Sequence, residues 1–270
     1  MIVFPNAKIN LGLHIIDKRP DGYHNIETCF YPIGWKDILE IIPADTLAFS
    51  SSGLPIPGDA SQNLCLKAYQ LLKNDFDLPP VQIHLHKIVP IGAGLGGGSA
   101  DAAFTIRLLN ETFQLGISED NLAIYAAKLG SDCAFFIKNE PVFAIEKGEV
   151  WQDIDMLDLR FHHLVVVFPK IHISTAEAYQ SVKKRGKTNN LYKQLALPLA
   201  EWRNTIENDF EKSVFENHPS LQKIKNLLYE EKALYASMSG SGSAMFGIFR
   251  DEPDLDKFKQ NEALVWAGEL

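Results

Sequence analysis

Between Pro90 and Ala103 the chain reads PIGAGLGGGSADAA, and five of the seven residues from Gly92 to Gly98 are glycine. Glycine inside a regular element is roughly 0.5–1 kcal/mol worse than alanine, so a run this dense marks backbone that turns sharply or is closely approached. The flanks narrow the choice. Val81 to Ile88 (VQIHLHKI) alternates as a half-buried strand does, and Ser99 to Phe113 spaces Phe104, Ile106, Leu108, Leu109 and Phe113 as a helix does. The order is therefore strand, glycine loop, helix. Unpaired N–H groups and the positive end of the helix dipole face such a loop, an arrangement suited to phosphate. A tight turn that only packs closely satisfies the same pattern.

Gly92, Gly94 and Gly97 match G-x-G-x-x-G literally, but a dinucleotide fold needs a parallel strand and an acidic residue after the first helix. Here a second helix follows at Ser118, with Glu119 and Asp120 in its first turn and Gly130 placed as a C-cap. Gly186-Lys187-Thr188 supplies the tail of a Walker A loop, yet Ser181 stands where its first glycine belongs, and the segment lies in a basic patch beyond a helix. Neither HRD nor DFG is present, which removes the protein-kinase pattern.

The formal net charge of −8 argues against a broad basic face, so nucleic acid and anionic membranes are not expected partners and phosphate binding must be local. Cys29, Cys65 and Cys133 are far apart and lack metal-ligand spacing, as expected of buried thiols in a reducing compartment. The N-terminal MIVFPNAKINLG has no signal-peptide pattern and no apolar run is long enough for a membrane span, so a soluble cytoplasmic protein is expected.

Along the chain, Phe4 to Ile16 alternates, with Ile9, Leu11, Leu13 and Ile15 on a core face and Asn6, Lys8, Asn10, Gly12 and His14 on a polar one. Asp17 to His24 reads as a loop. Strands are predicted at 26–33, 38–42, 134–137, 142–145, 164–168, 234–238, 244–250 and 264–266, and helices at 64–73, 176–184, 198–210, 221–230 and 255–261. Ser50 to Ser61 reads as a surface loop and 151–158 as irregular. Two α+β domains are expected, residues 1–155 and 156–270.

Several polar residues have a plain and a chemical reading. Lys8, on the same face as Asn10, is either a solvated strand lysine or a cation for a transferring phosphate. Asp132, before the apolar run CAFFI, is a turn aspartate or a proton acceptor. His24 is a surface histidine or part of a flat surface for a base. Asp101 favours the helix start or approaches a phosphate-bound metal. The loop Ser239, Gly240, Ser241, Gly242 is a hairpin or a second backbone cradle.

In order, PNAKINLGLHI, DGYHNIET, PIGAGLGGGSADAA, LGSDCAFF and SMSGSGSAMF resemble the GHMP kinase superfamily over nearly the whole chain. The long glycine run and DGYH resemble its branch that phosphorylates a cytidyl-linked methylerythritol in non-mevalonate isoprenoid synthesis. The resemblance implies an N-terminal ATP-binding α+β domain, a C-terminal ferredoxin-like α+β domain and an active site in the cleft between domains. It also implies transfer of the ATP γ-phosphoryl, with Mg2+, to the 2-hydroxyl of 4-diphosphocytidyl-2-C-methyl-D-erythritol. In that frame Asp132 would take the hydroxyl proton and Lys8 would be its charged partner. Gly94, Leu95, Gly96, Gly97, Gly98 and Ser99 would hold the ATP phosphates, with Pro90, Gly92 and Ala100 beside them and Asn63 near the adenine. Asn10, Tyr23, His24, Thr175 and Tyr179 would contact the substrate, the aromatic groups on cytosine; no residue is assigned to the metal. Monomer and homodimer are both compatible with the pattern. Cys133-Ala134 replaces a more usual Val-Pro, and Ala93 replaces a glycine found in some members.

Overall fold

The computed structural model describes residues 1–154, 157–180, 191–259 and 262–270. Its elements in chain order are β1 (Ile2–Val3), β2 (Asn6–Lys18), β3 (His24–Lys36), β4 (Ile38–Pro43), β5 (Ala48–Gly53), α1 (Leu64–Lys73), β6 (Val81–Lys87), α2 (Gly97–Thr112), α3 (Glu119–Ala127) and α4 (Phe135–Lys138). There follow β7 (Val142–Glu146), β8 (Val150–Asp153), β9 (His163–Phe168), α5 (Thr175–Gln180), α6 (Leu191–Leu195), α7 (Leu199–Thr205), α8 (Glu211–Asn217), α9 (Pro219–Glu230), β10 (Tyr235–Met238), β11 (Met245–Phe249) and β12 (Leu264–Glu269). They form two compact units. The first holds Met1–Ala7, Trp35–Ile91 and Gly96–Glu140, the second Lys8–Gly34, Gly92–Leu95 and Pro141–Leu270.

The first unit is built on a sheet in the order β1-β4-β6-β5. Alternation in β6 turns Val81, Ile83, Leu85 and Lys87 inward, and Leu39 and Ile41 of β4 pair with Leu85 and Ile83. β5 runs parallel to β6, so residues 50–53 are strand rather than loop. Backbone pairing overrides the turn-like composition there, and Ser50 and Ser52 bond His84 and His86 across the two strands. Against this sheet, α1, α2, α3 and α4 form one packed group.

The run 134–137 is helix, not the predicted strand: Phe135, Phe136 and Ile137 are all buried in α4, which Asn139 ends in the left-handed region with its N–H on Phe135 O. A short apolar run enclosed on all sides carries no period that separates the two. Ser118 caps α3 as expected, but that helix stops at Ala127, and Gly130 is not left-handed. Its glycine instead leaves room for Cys133 Sγ, which a Cβ would meet at 3.3 Å.

The second unit carries the sheet β2-β3-β7-β8 and the sheet β10-β11-β9-β12. In the latter every neighbour is antiparallel, and counting from β9 the order is 2-3-1-4, the ferredoxin-like arrangement. Val165 and Val167 of β9, Met238, Met245 and Phe249 pack with Leu221 and Leu228 of α9 and with Phe258. β2 is buried from Asn6 to Ile16 on both faces, the polar face as well as the core face, which removes the solvated reading of Lys8. β8 gives order to part of the stretch read as irregular. The helix predicted over 198–210 ends at Thr205, because Ile206 turns extended and Asn208 forms a parallel bridge with Leu13. Over 255–261 the described part is a 3-10 turn, Leu255–Phe258. Gly186-Lys187-Thr188, the far end of the helix predicted at 176–184 and the boundary residue 155 lie outside the described residues.

Candidate active site

In the first unit the glycine run becomes helix two residues earlier than its periodicity suggests. Gly96 (φ +71°) is the N-cap of α2, no side chain caps that end, and Ala100 N–H bonds Gly96 O at 2.9 Å. The glycines that follow have different reasons to be glycine. A Cβ on Gly97 would meet Lys87 Nζ and Val89 Cγ1 at 3.0 Å, whereas one on Gly98 would find nothing nearer than Leu64 Cδ1 at 3.9 Å. Gly98 borders a cavity of about 240 Å³ that Asn63, Leu64, Phe49, Ile91 and Asp101 also line. Asn63 Oδ1 caps α1 through Cys65 N–H at 2.9 Å, which leaves its amide group as the donor on that wall. An uncapped helix start beside a lined cavity suits a nucleotide: phosphate on the N–H groups, base in the pocket.

Asp132 stands half-buried in the turn between α3 and α4 and accepts a hydrogen bond from Ser131 Oγ at 3.2 Å. Its neighbour Cys133 is buried, which pushes the thiol up to about 11, and the Ser99 hydroxyl partners that thiol. Since Ser99 belongs to the first turn of α2, this contact sets Asp132 beside the helix start. Cys29 and Cys65 are buried and free as well.

In the second unit, Lys8 is buried, and its Nζ donates to Asn10 Oδ1 at 2.6 Å and to Gly94 O at 3.2 Å, with the Phe30 ring 5.1 Å away. Asn10 in turn donates to Thr28 Oγ1 at 2.9 Å. The lysine is thus no surface group; the first half of the glycine run, Gly92 to Leu95, is held around it. Lys8 N–H bonds Leu95 O at 2.9 Å, and Ala244 N–H bonds Ala93 O at 3.0 Å. Ser239 Oγ donates to Gly94 O at 2.8 Å. Gly94 (φ +78°) has no side chain because Ser239 O would lie 2.0 Å from its Cβ. The loop Ser239, Gly240, Ser241, Gly242 therefore braces the first glycine loop at Gly94, and Asn208 holds it in turn through Met238 O and Gly240 O. Pro90 is buried ahead of the loop and Gly92 lies against His172.

Of the expected substrate residues, His24 and Tyr179 stack directly, with centroids 4.5 Å apart and planes 16° from parallel, and Phe210 meets Tyr179 edge-on. A stack that close leaves no room for a base between the rings, so a base would lie on an outer face. Tyr23 is exposed, with Lys147 Nζ 5.4 Å from its ring, and Thr175 is exposed at the start of α5. The two do not join the stack.

The sequence reading missed one cluster. Lys87 Nζ lies 2.5 Å from Asp37 Oδ2 and 2.7 Å from Asp101 Oδ2, all three buried. Burial pushes Asp101 up to about 7 against the pull of Lys87, with Asp37 adding to the rise, and Asp101 Oδ1 is buried without a hydrogen-bond partner. Burial works against the Lys87 charge, but the two aspartates outweigh it and raise its pKa. The signal was present: Lys87 shares the apolar phase of β6 with Val81, Ile83 and Leu85, where a lysine requires acidic partners.

The family model for the GHMP kinases N terminal domain matches residues 63–140, and that for the GHMP kinases C terminal domain matches residues 192–261. The chain belongs to the GHMP kinase family, phosphotransferases that act on alcohol acceptors. Within it, the chain is 52% identical over 254 residues to 4-diphosphocytidyl-2-C-methyl-D-erythritol kinase of Cytophaga hutchinsonii, covering 94% of each. It is 49% identical over 274 residues to the protein of that name from Bacteroides fragilis, covering both completely. A crystal structure of 4-(cytidine 5'-diphospho)-2C-methyl-D-erythritol kinase superposes with a TM-score of 0.82 at 28% identity, over 99% of this chain and 98% of that one. Mevalonate kinase of Methanococcus jannaschii, at TM-score 0.69 and 15% identity over 100% of this chain and 98% of its own, shares the fold.

Proposed function

We propose that the chain transfers the γ-phosphoryl group of ATP to the 2-hydroxyl of 4-diphosphocytidyl-2-C-methyl-D-erythritol, yielding the 2-phosphate and ADP, in the non-mevalonate route to isoprenoid precursors. The observation that carries this reading is full-length identity of about half to kinases of that name, with Lys8 buried on the glycine loop rather than in solvent. Residues 1–155 would supply the nucleotide side and residues 156–270 the substrate side, in a cytoplasmic enzyme. No described helix is long and apolar enough to cross a membrane.

Phosphoryl transfer asks the protein mainly for alignment and for charge placed where it develops. The N–H groups opening α2 at Gly97, Gly98 and Ser99 would bind phosphate oxygens, with Ala100 beside them, and the cavity at Asn63 would take the adenine. Lys8, held by Asn10 and Gly94, would stabilise charge on the transferring group. Asp132 would accept the hydroxyl proton as the new P–O bond forms and the bond to ADP breaks. His24 and Tyr179 would offer an outer face of their stack to cytosine. Mg2+ would neutralise phosphate charge; no group of three or more His, Cys, Asp or Glu is gathered for a metal among the described residues, and Mg2+ held mostly by phosphates and water needs few protein ligands.

Phosphorus NMR of the product tests the reading. A new phosphomonoester resonance on a molecule that keeps its diphosphate supports it, and a product without a monoester on the methylerythritol carbons overturns it.

A further inference from the structure

The buried Asp37, Lys87 and Asp101 touch no reacting atom in the scheme above, yet they reach both ends of the glycine loop. Asp37 Oδ1 accepts the N–H groups of Ile88 at 2.6 Å and Val89 at 2.8 Å, the residues over which β6 gives way to the loop. Its other oxygen takes Lys87 Nζ, and the same ammonium donates to Asp101 Oδ2 in the opening turns of α2. A chain of carboxylate, ammonium and carboxylate thus runs from the start of the loop to the helix in which it ends. Lys87 Nζ also lies 3.0 Å from where a Cβ of Gly97 would be, so the cation sits directly against the helix start. Asp101 borders the same cavity as Gly98 and Asn63.

Apolar side chains in these places would join sheet to helix without the desolvation that buried ions carry. What they would not do is fix distance and direction, since dispersion contacts tolerate sliding and hydrogen bonds do not. Fixed geometry matters at an anion site, where backbone donors must lie within about 2.7–3.1 Å of the oxygens they stabilise.

We propose that Asp101 is a positioning residue for the nucleotide: through Lys87 and Asp37 it holds the first turn of α2 in register with the end of β6, so that the phosphate-facing N–H groups are set before ATP arrives. The proposal rests on the kinase reading above. Asp101→Ala cuts the tie to α2 while Lys87 and Asp37 remain paired, and Asp101→Asn keeps an acceptor oxygen for Lys87. The expected result is an ATP KM about tenfold higher in Asp101→Ala, with kcat and the acceptor KM within about twofold, and near wild-type values in Asp101→Asn. A purely structural role would instead lower the active fraction and leave the ATP KM alone. An unchanged ATP KM in Asp101→Ala, or equal impairment in Asp101→Asn, overturns the proposal. Should Asp101→Ala fail to fold, Asp101→Ser, whose hydroxyl is too short to reach Lys87, takes its place with the same expectations. Amide exchange without nucleotide gives a second readout: faster exchange over residues 97–101 in the truncated variant, but not in Asp101→Asn, supports the clamp, and equal exchange in all three proteins overturns it. No ATP turnover by the wild type would sink the kinase reading alone, with the exchange comparison still deciding the clamp.

Discussion

Gly94→Ala separates what the two halves of the glycine loop are for. The residue sits at φ +78°, and a methyl there would lie 2.0 Å from Ser239 O, where ordinary contact begins at 3.4 Å. The two backbones must part by the difference, 3.4 − 2.0 = 1.4 Å, unless the loop refolds. That shift breaks the bond from Ser239 Oγ to Gly94 O and the bond from Lys8 Nζ to the same oxygen. The left-handed backbone costs about 1–2 kcal/mol for alanine, the neutral bond is worth about 1 and the bond from the ammonium about 2. The sum, about 4–5 kcal/mol, corresponds to a fall in Tm on the order of 10 °C for a chain of this size. Scanning calorimetry without ligand should show it, and ADP release should fall about a hundredfold in kcat/KM as Lys8 is misplaced by an ångström or more. Gly98→Ala is the matched control. Its methyl would meet only Leu64 Cδ1 at 3.9 Å, so Tm should hold while the ATP KM rises. A Gly94→Ala protein with wild-type Tm would refute the bracing of one loop by the other, and an unchanged ATP KM in Gly98→Ala would remove Gly98 from the phosphate site.

Asp132→Asn should lose most turnover and keep ATP affinity near wild type by calorimetric titration; near-normal turnover in the folded variant excludes Asp132 as the proton acceptor. His24→Ala should raise the acceptor KM more than it lowers kcat, because it removes one ring of the stack with Tyr179; an unchanged acceptor KM counts against cytosine recognition there. The raised pKa of Asp101, about 7 against 3.8, means the folded state holds a proton that the unfolded state has released in between. That contribution to stability is complete below about pH 4 and is lost as pH rises through about 7. Urea unfolding at about pH 5 and about pH 8 should therefore show a smaller loss in Asp101→Asn than in the wild type, and equal losses would mean that Asp101 does not titrate in that window.

The elements that were legible in the sequence are those with a clear period or a cap. α1 matched its predicted bounds because Asn63 caps it and Lys73 closes it, and the strand, glycine loop, helix order held because VQIHLHKI alternates and Ser99 to Phe113 does not. Where tertiary surroundings decide, the pattern misled. CAFFI is too short to show a period, and Ser50 to Gly53 became strand only because β6 offered it a partner. The polar face of β2 carried the least visible information. Asn10 and Lys8 alternate as surface residues do, and partners distant in the chain enclose them: Thr28 and Phe30 of β3, and Gly94 and Ser239 some 90 and 230 residues along. The same holds for Lys87, whose partners Asp37 and Asp101 are 50 residues before and 14 residues after it.

The most direct test of the account is ADP release by the purified protein with Mg-ATP and 4-diphosphocytidyl-2-C-methyl-D-erythritol, run beside mevalonate, homoserine and galactose. Turnover with the cytidyl acceptor alone is the predicted result. Turnover with one of the other alcohols in its place would contradict it and withdraw His24 and Tyr179 from base recognition.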